Sequence, residues 1–247
     1  MLRFVSGNVT EKTKIMKFKS FLTSLLFLVA TVFTAHAQNT TVSGKVSDGV
    51  ENLNGCKHTV IPDRIEAGSF AIAAAITGGE LELINCEPLH LLSLSEHLIK
   101  AGVNWQNTDK TITISSNGNL KPVSITTSEY PGFPTDLQAQ MMVLLSLSKN
   151  SSVIRENIFE NRFMHVPELN RMGANIEISG SQATIKPCSG FSGAQVMATD
   201  LRASVSLVLA SLIAKGETTI NRVYHLDRGY EKLEDKLAAC GANIKRV

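Results

Sequence analysis

Two aspartates sit in copies of one string. Thr135-Asp136-Leu137-Gln138-Ala139 returns 64 positions later as Thr199-Asp200-Leu201-Arg202-Ala203. A carboxylate at a turn of a repeated unit is a natural place to look for chemistry. It can equally do no more than stabilise a helix start, where the dipole favours an acid by roughly 0.3–1 kcal/mol, and both readings stand open. Arg202 is harder to explain structurally, because a cation in a first helical turn opposes that dipole unless an anion binds beside it. Arg162, in Glu160-Asn161-Arg162-Phe163-Met164-His165, and Arg228, in His225-Leu226-Asp227-Arg228-Gly229-Tyr230, occupy comparable turns before predicted second helices. Guanidinium groups grip carboxylate or phosphate with two parallel hydrogen bonds, so the trio fits an anionic ligand. Ordinary surface ion pairs, such as Arg228 with Asp227 or Glu231, are the competing account. His165 and His225 lack a second metal ligand at helical spacing and read as structural or solvated, so no metal site is expected. No phosphate-binding glycine loop, nucleophile elbow or Cys-x-x-Cys pair occurs.

These charges belong to a repeated element. A fainter copy of the string, Asp63-Arg64-Ile65-Glu66-Ala67, precedes the other two. Each copy is followed by an apolar stretch of helical period, a β-rich stretch, a second helical stretch and a glycine: Gly102, Gly173 or Gly241. Leu137, Met141, Leu144 and Leu145 share one helical face, and Leu201, Val205, Val208 and Leu209 share another with identical spacing. The first unit offers an alanine-rich helix over 69–76. Thr135 and Thr199 are predicted N-caps, and Thr135 with Gln138 fits a capping box. Strands are predicted over 80–85, 152–158 and 217–224, and second helices over 90–100, 164–172 and 230–239, stopped by the glycines. Strand pairs follow over 104–115 and 175–186. The unit reads β-α-β-α-β-β, used three times over about 60–116, 131–187 and 196–247, with the long first helices buried against one another.

Composition sets the bounds. The chain has 247 residues and a formal net charge of +2 from 24 basic and 22 acidic residues, which gives no basic field for nucleic acid. Cys56, Cys86, Cys188 and Cys240 lie far apart and read as mostly buried thiols. The opening segment differs from the rest. Lys17 and Lys19, an apolar run over 21–33 and Ala35-His36-Ala37 form the layout of a secretory signal cleaved after Ala37, too short for a membrane span. Met16 is then a candidate start, leaving 1–15 outside the fold. Residues 38–48 read as a short linker or strand. The globular part is expected over 49–247, with no membrane segment once the signal is removed.

From these strings, with Val60-Ile61-Pro62-Asp63-Arg64 and Pro131-Gly132-Phe133-Pro134 added, the stretch from Gly49 to Val247 closely resembles the UDP-N-acetylglucosamine enolpyruvyl transferases. The shikimate-pathway enolpyruvyl transferases share the fold and lack the strings. The resemblance implies an α/β fold, α+β in some schemes, in which three units make one inside-out barrel half with its helices inside. It implies transfer of the enolpyruvyl group of phosphoenolpyruvate to the 3′-hydroxyl of UDP-N-acetylglucosamine in peptidoglycan synthesis, with release of phosphate and without metal or cofactor. By the same resemblance Asp136 binds the sugar 3′-hydroxyl and is the candidate general base. Ile158 and Phe159 touch the nucleotide sugar, Arg202 and Arg228 clamp the phosphoenolpyruvate carboxylate, and Arg162 is a further cleft arginine.

A complete member resembles two such halves. The half carrying the proton-donating cysteine has no counterpart among the matched strings, so a separate chain is an expected partner for activity. The short strand that completes this half is also expected to be absent, leaving an edge for the alternating residues 40–48 to cover. Family resemblance implies the cytoplasm, whereas the signal-like segment implies export. A nucleotide-sugar-binding remnant and an exported structural fusion therefore stand beside the enzyme half as alternatives.

Overall fold

The computed structural model describes residues 1–5, 41–44 and 56–247. The signal-like run and most of the predicted linker lie outside the described residues. The chain opens on β1 (Leu2–Val5), and β2 (Thr41–Gly44) pairs antiparallel with β3 (Cys56–Thr59). The first unit continues through α1 (Arg64–Thr77), β4 (Glu80–Ile84), α2 (Leu92–Lys100), β5 (Asn104–Asn107) and β6 (Thr111–Ser115). The second holds β7 (Ser124–Thr126), α3 (Gln138–Ser146), β8 (Ser152–Arg155), α4 (Val166–Arg171), β9 (Asn175–Ser179) and β10 (Gln182–Lys186). The third holds β11 (Gln195–Met197), α5 (Val205–Ile213), β12 (Glu217–Asn221), α6 (Tyr224–Asp227), α7 (Leu233–Ala239) and β13 (Ile244–Arg246).

The three units build three equivalent sheets, ordered β4-β6-β5, β7-β8-β10-β9 and β11-β12-β1-β13. β7 and β11 run parallel to β8 and β12, as a crossover through an α-helix requires. In the third sheet β1 stands where β10 stands in the second, antiparallel to both neighbours, with Leu2 opposite Ile220 and Arg246. Two expectations are corrected here. The edge of the third unit is filled by Leu2–Val5, residues assigned to the discarded leader, and β2 pairs with β3 instead of covering that edge.

The first helices of the units are central. Every residue of α3 is buried, as is α5 up to Ser211, and α1, α3 and α5 pack on one another with the sheets outside. Helices apolar on all sides have no solvent face to lose, so three of them can form a shared core. Each fully buried leucine, isoleucine or methionine there contributes roughly 1.5–3 kcal/mol through removal from water. α1 approaches closely because its buried face is alanine and glycine. A Cβ on Gly68 would lie 2.6 Å from Leu137 Cδ1. The glycines after the second helices, Gly102, Gly173 and Gly241, all adopt positive φ, as the repeat predicts.

Local details differ from the sequence reading. The strands stop earlier, at Ile84, Arg155 and Asn221. Thr135 opens a 3-10 turn over Thr135–Leu137 and caps nothing, while Asp63 is a true N-cap, its carboxylate accepting from the N–H groups of Ile65 and Glu66. α5 begins only at Val205, so Arg202 lies in the turn before the helix and the dipole argument for it weakens. Of the cysteines whose burial is described, Cys86 is buried, Cys188 half-buried and Cys240 exposed, fewer buried thiols than expected.

Candidate functional site

Side-chain contacts gather the N-terminal ends of α1, α3 and α5 at one end of the molecule. Arg202, before α5, reaches Asp63 at the cap of α1, Nη2 to Oδ2 3.3 Å. Its Nη1 donates to the Gly229 carbonyl at 3.1 Å, and its guanidinium lies 5.4 Å from the centre of the Tyr230 ring. Burial works against this charge, but Asp63 and Tyr230 outweigh it and the guanidinium is held above its usual pKa. Tyr230 is itself buried, with its hydroxyl 2.9 Å from Ser69 Oγ on α1. Burial pushes its phenol upward, so it stays protonated. Gln140 of α3 donates to Ser69 Oγ at 3.2 Å and to the Asp136 carbonyl at 2.8 Å. Asp136, Ser69, Tyr230 and Arg202 are thus connected through one buried polar hub at the meeting of the three units.

Asp136 projects from the 3-10 turn and binds Arg162, Oδ1 to Nη2 2.7 Å. Its side chain remains 38 % exposed, open to a ligand on its other oxygen. Arg162 lies 5.2 Å above the centre of the Phe159 ring, and its carbonyl accepts from Gln138 at 3.2 Å. Phe159 is 52 % exposed and Ile158 half-buried, in the loop that leaves β8. Of the expected site residues, Asp136, Ile158, Phe159 and Arg162 therefore form one group and Arg202 a second, linked by the hub. Arg228 is exposed, and among the described residues it has no ion pair. Its proposed partner Asp227 is taken by Arg246 at 2.6 Å. The carbonyl of its neighbour in sequence, Gly229, is the one Arg202 holds, and among the described residues no hydrogen bond or ion pair joins the Arg228 side chain to the other candidate residues. A Cβ at Gly229 would come within 2.6 Å of Leu201 Cδ1, so a larger residue there would have to push that side chain aside.

Several participants were not visible in sequence. In sequence Asp63 shows only a faint copy of the repeat, Tyr230 the start of a predicted helix, and Glu156 part of a predicted strand. Glu156 is in fact buried beside the Asp136 turn. An acid at the end of a β-branched run, with threonines elsewhere in the unit, was the available signal.

This arrangement, an inside-out half-barrel of three β-α-β-α-β-β units with carboxylates and guanidinium groups at one end, is the fold of the enolpyruvyl transferases. The chain belongs to the family described as EPSP synthase (3-phosphoshikimate 1-carboxyvinyltransferase), whose sequence model matches residues 25–237. Within it, the chain is 56% identical over 200 residues to a protein of Granulibacter bethesdensis named UDP-N-acetylglucosamine 1-carboxyvinyltransferase, covering 81% of this chain and 48% of that one. A protein of the same name from Gluconacetobacter diazotrophicus is 58% identical over 200 residues, with the same two coverages. The chain spans about half the length of the curated relatives it matches. Among solved structures, the enolpyruvyl transferase NikO from Streptomyces tendae superposes with a TM-score of 0.70 at 27% identity, over 82% of this chain and 51% of that one. EPSP synthase from Acinetobacter baumannii shares the fold, with a TM-score of 0.61 at 18% identity over 76% of this chain and 47% of that one.

Proposed function

We propose that this chain supplies the acceptor-sugar and carboxylate-binding half of an enolpyruvyl transferase acting on UDP-N-acetylglucosamine and phosphoenolpyruvate in peptidoglycan synthesis, in the cytoplasm and in the service of cell shape and division. The observation that carries the reading is the Asp136–Arg162 pair joined through the hub to Arg202, in a chain more than half identical to proteins of that name. Asp136 binds the sugar 3′-hydroxyl and takes its proton as the oxygen attacks C2 of phosphoenolpyruvate. Arg162 fixes the carboxylate that does so, and Phe159 with Ile158 offers an apolar edge to the nucleotide sugar. Arg202 and the exposed Arg228 pair with the phosphoenolpyruvate carboxylate, Arg202 releasing Asp63 or sharing it. Protonation of the methylene carbon and expulsion of phosphate need groups from the complementary half.

Mixing this protein with the amino-terminal half of a curated relative tests the proposal. Phosphate is expected to appear only when both halves and UDP-N-acetylglucosamine are present, and Asp136→Asn is expected to slow its release about 10²–10⁴-fold. No release from a mixture shown to associate counts against the reading. The half-length match favours one other reading, a nucleotide-sugar-binding protein without turnover, which predicts calorimetric binding and no phosphate under the same conditions.

A further inference from the structure

Glu156 is 3 % exposed and, among the described residues, forms no salt bridge with a basic side chain. Burying a carboxylate this way is strongly unfavourable unless hydrogen bonds replace its water. Four do. Oε1 accepts from Thr127 Oγ1 at 2.8 Å, from the Ile158 N–H at 2.9 Å and from the Phe159 N–H at 3.2 Å, and Oε2 accepts from Thr135 Oγ1 at 2.7 Å. A carboxylate offers about four acceptor sites, and here donors converge on both oxygens. The second layer is ordered as well, since Thr127 Oγ1 accepts in turn from the Asn157 N–H at 2.9 Å.

These bonds close a ring around the candidate site. From Glu156 the path runs to Thr135, along the chain to Asp136, across the 2.7 Å pair to Arg162, onto the Phe159 ring at 5.2 Å, and back through the Phe159 N–H to Glu156. We infer that Glu156 is the positioning residue of the site, a buried acceptor that holds the Asp136 turn and the Ile158–Phe159 loop in register so that hydroxyl acceptor and nucleotide-sugar contact face one ligand. The structural part stands on the geometry alone. The ligand rests on the function proposed above.

Amide hydrogen exchange on the full chain separates the two parts. Glu156→Ala is expected to accelerate exchange at Ile158 and Phe159 by about tenfold or more, the effect of one buried hydrogen-bond acceptor lost. Exchange in β8 and β10 stays as in the parent protein. Glu156→Gln keeps an oxygen for the three donors at Oε1, and can turn its amide to Thr135 Oγ1 as acceptor, so it is expected to restore the parent rates. Should Glu156→Ala fail to fold, Thr135→Val removes only the bond to the Asp136 turn, and is expected to raise exchange at Leu137 while leaving Ile158 and Phe159 protected. Unchanged exchange at the loop in Glu156→Ala, or equal acceleration across β8 and β10, overturns the positioning role. In parallel, titration with UDP-N-acetylglucosamine is expected to give binding about tenfold weaker in Glu156→Ala than in the parent and Glu156→Gln, each tenfold being the loss of one such bond. Equal affinity overturns the link to the ligand. A parent protein that does not bind sinks the functional reading instead, and the exchange data still decide what Glu156 does.

Discussion

The residues at the meeting of the helices are held by contacts that make their chemistry directional, and His165 marks where that order meets acid. Its ring is wholly buried, with Nε2 3.3 Å from Met142 Sδ and no partner for Nδ1 among the described residues. Burial lowers its pKa from 6.5 to about 4, with Arg162 adding to the effect and Asp200 opposing it. The sign follows from proton counting. Between pH 6.5 and 4 the unfolded chain holds the proton and the folded chain does not, so stability is complete above about pH 7 and declines as pH falls through 6.5 towards 4. At about 1.4 kcal/mol for each unit, that difference amounts to at most about 3.5 kcal/mol. Titration of the ring by NMR is expected to find it neutral at pH 5, with urea midpoints lower at pH 4.5 than at pH 7.5. A ring that titrates near 6.5 would show that water reaches it and that the burial account is wrong.

At the scale of elements, the repeated strings announced the three units because each first helix is long enough to display its period and each second helix ends on glycine. The core helices and the unit order followed. What periodicity could not give was the end of each strand, since Ile158 and Phe159 look as suited to a strand as Val153 and Ile154 do, yet they lie in a loop whose direction is set by Glu156, a tertiary partner. Nor could it give the way Thr135 is used, because a hydroxyl at a helix start suits a cap as well as it suits a buried carboxylate 21 residues on. The approach of α1 to the Asp136 turn offers a measurement. A methyl group at Gly68 would press on both δ carbons of Leu137 and on Leu94, so Gly68→Ala is expected to destabilise the protein by about 1–3 kcal/mol despite the better helix propensity of alanine. Denaturant unfolding would read it, and a gain in stability would mean that the helices are free to shift apart.

For the whole molecule, the consequence lies in β1. A four-residue strand has too little sequence to show a period, and its partners Glu217–Asn221 and Ile244–Arg246 lie more than two hundred positions away, so nothing local could place it. Yet it occupies an inner position of the third sheet, Leu2 is 1 % exposed, the Met1 carbonyl accepts from the Val247 N–H at 2.9 Å, and Arg3 pairs with Glu217. Cleavage after Ala37 would withdraw this strand and leave β12 and β13 without their shared partner, exposing unpaired backbone on both. A protein beginning at Gln38 is therefore expected to melt several degrees below the full chain, in line with a loss of about 2–4 kcal/mol from one buried leucine and the ladder around it. Hydrogen exchange should rise in β12 and β13, while β8 and β10 in the second sheet remain as they were. Leu2→Asp in the full chain should reproduce that pattern without shortening the protein, because a carboxylate cannot be buried there unpaired. If both proteins keep the parent melting temperature and the parent exchange in β12, the strand is dispensable and a processed, exported form could carry the same fold. If both lose it, the three-unit fold is intact only while its first residues remain attached.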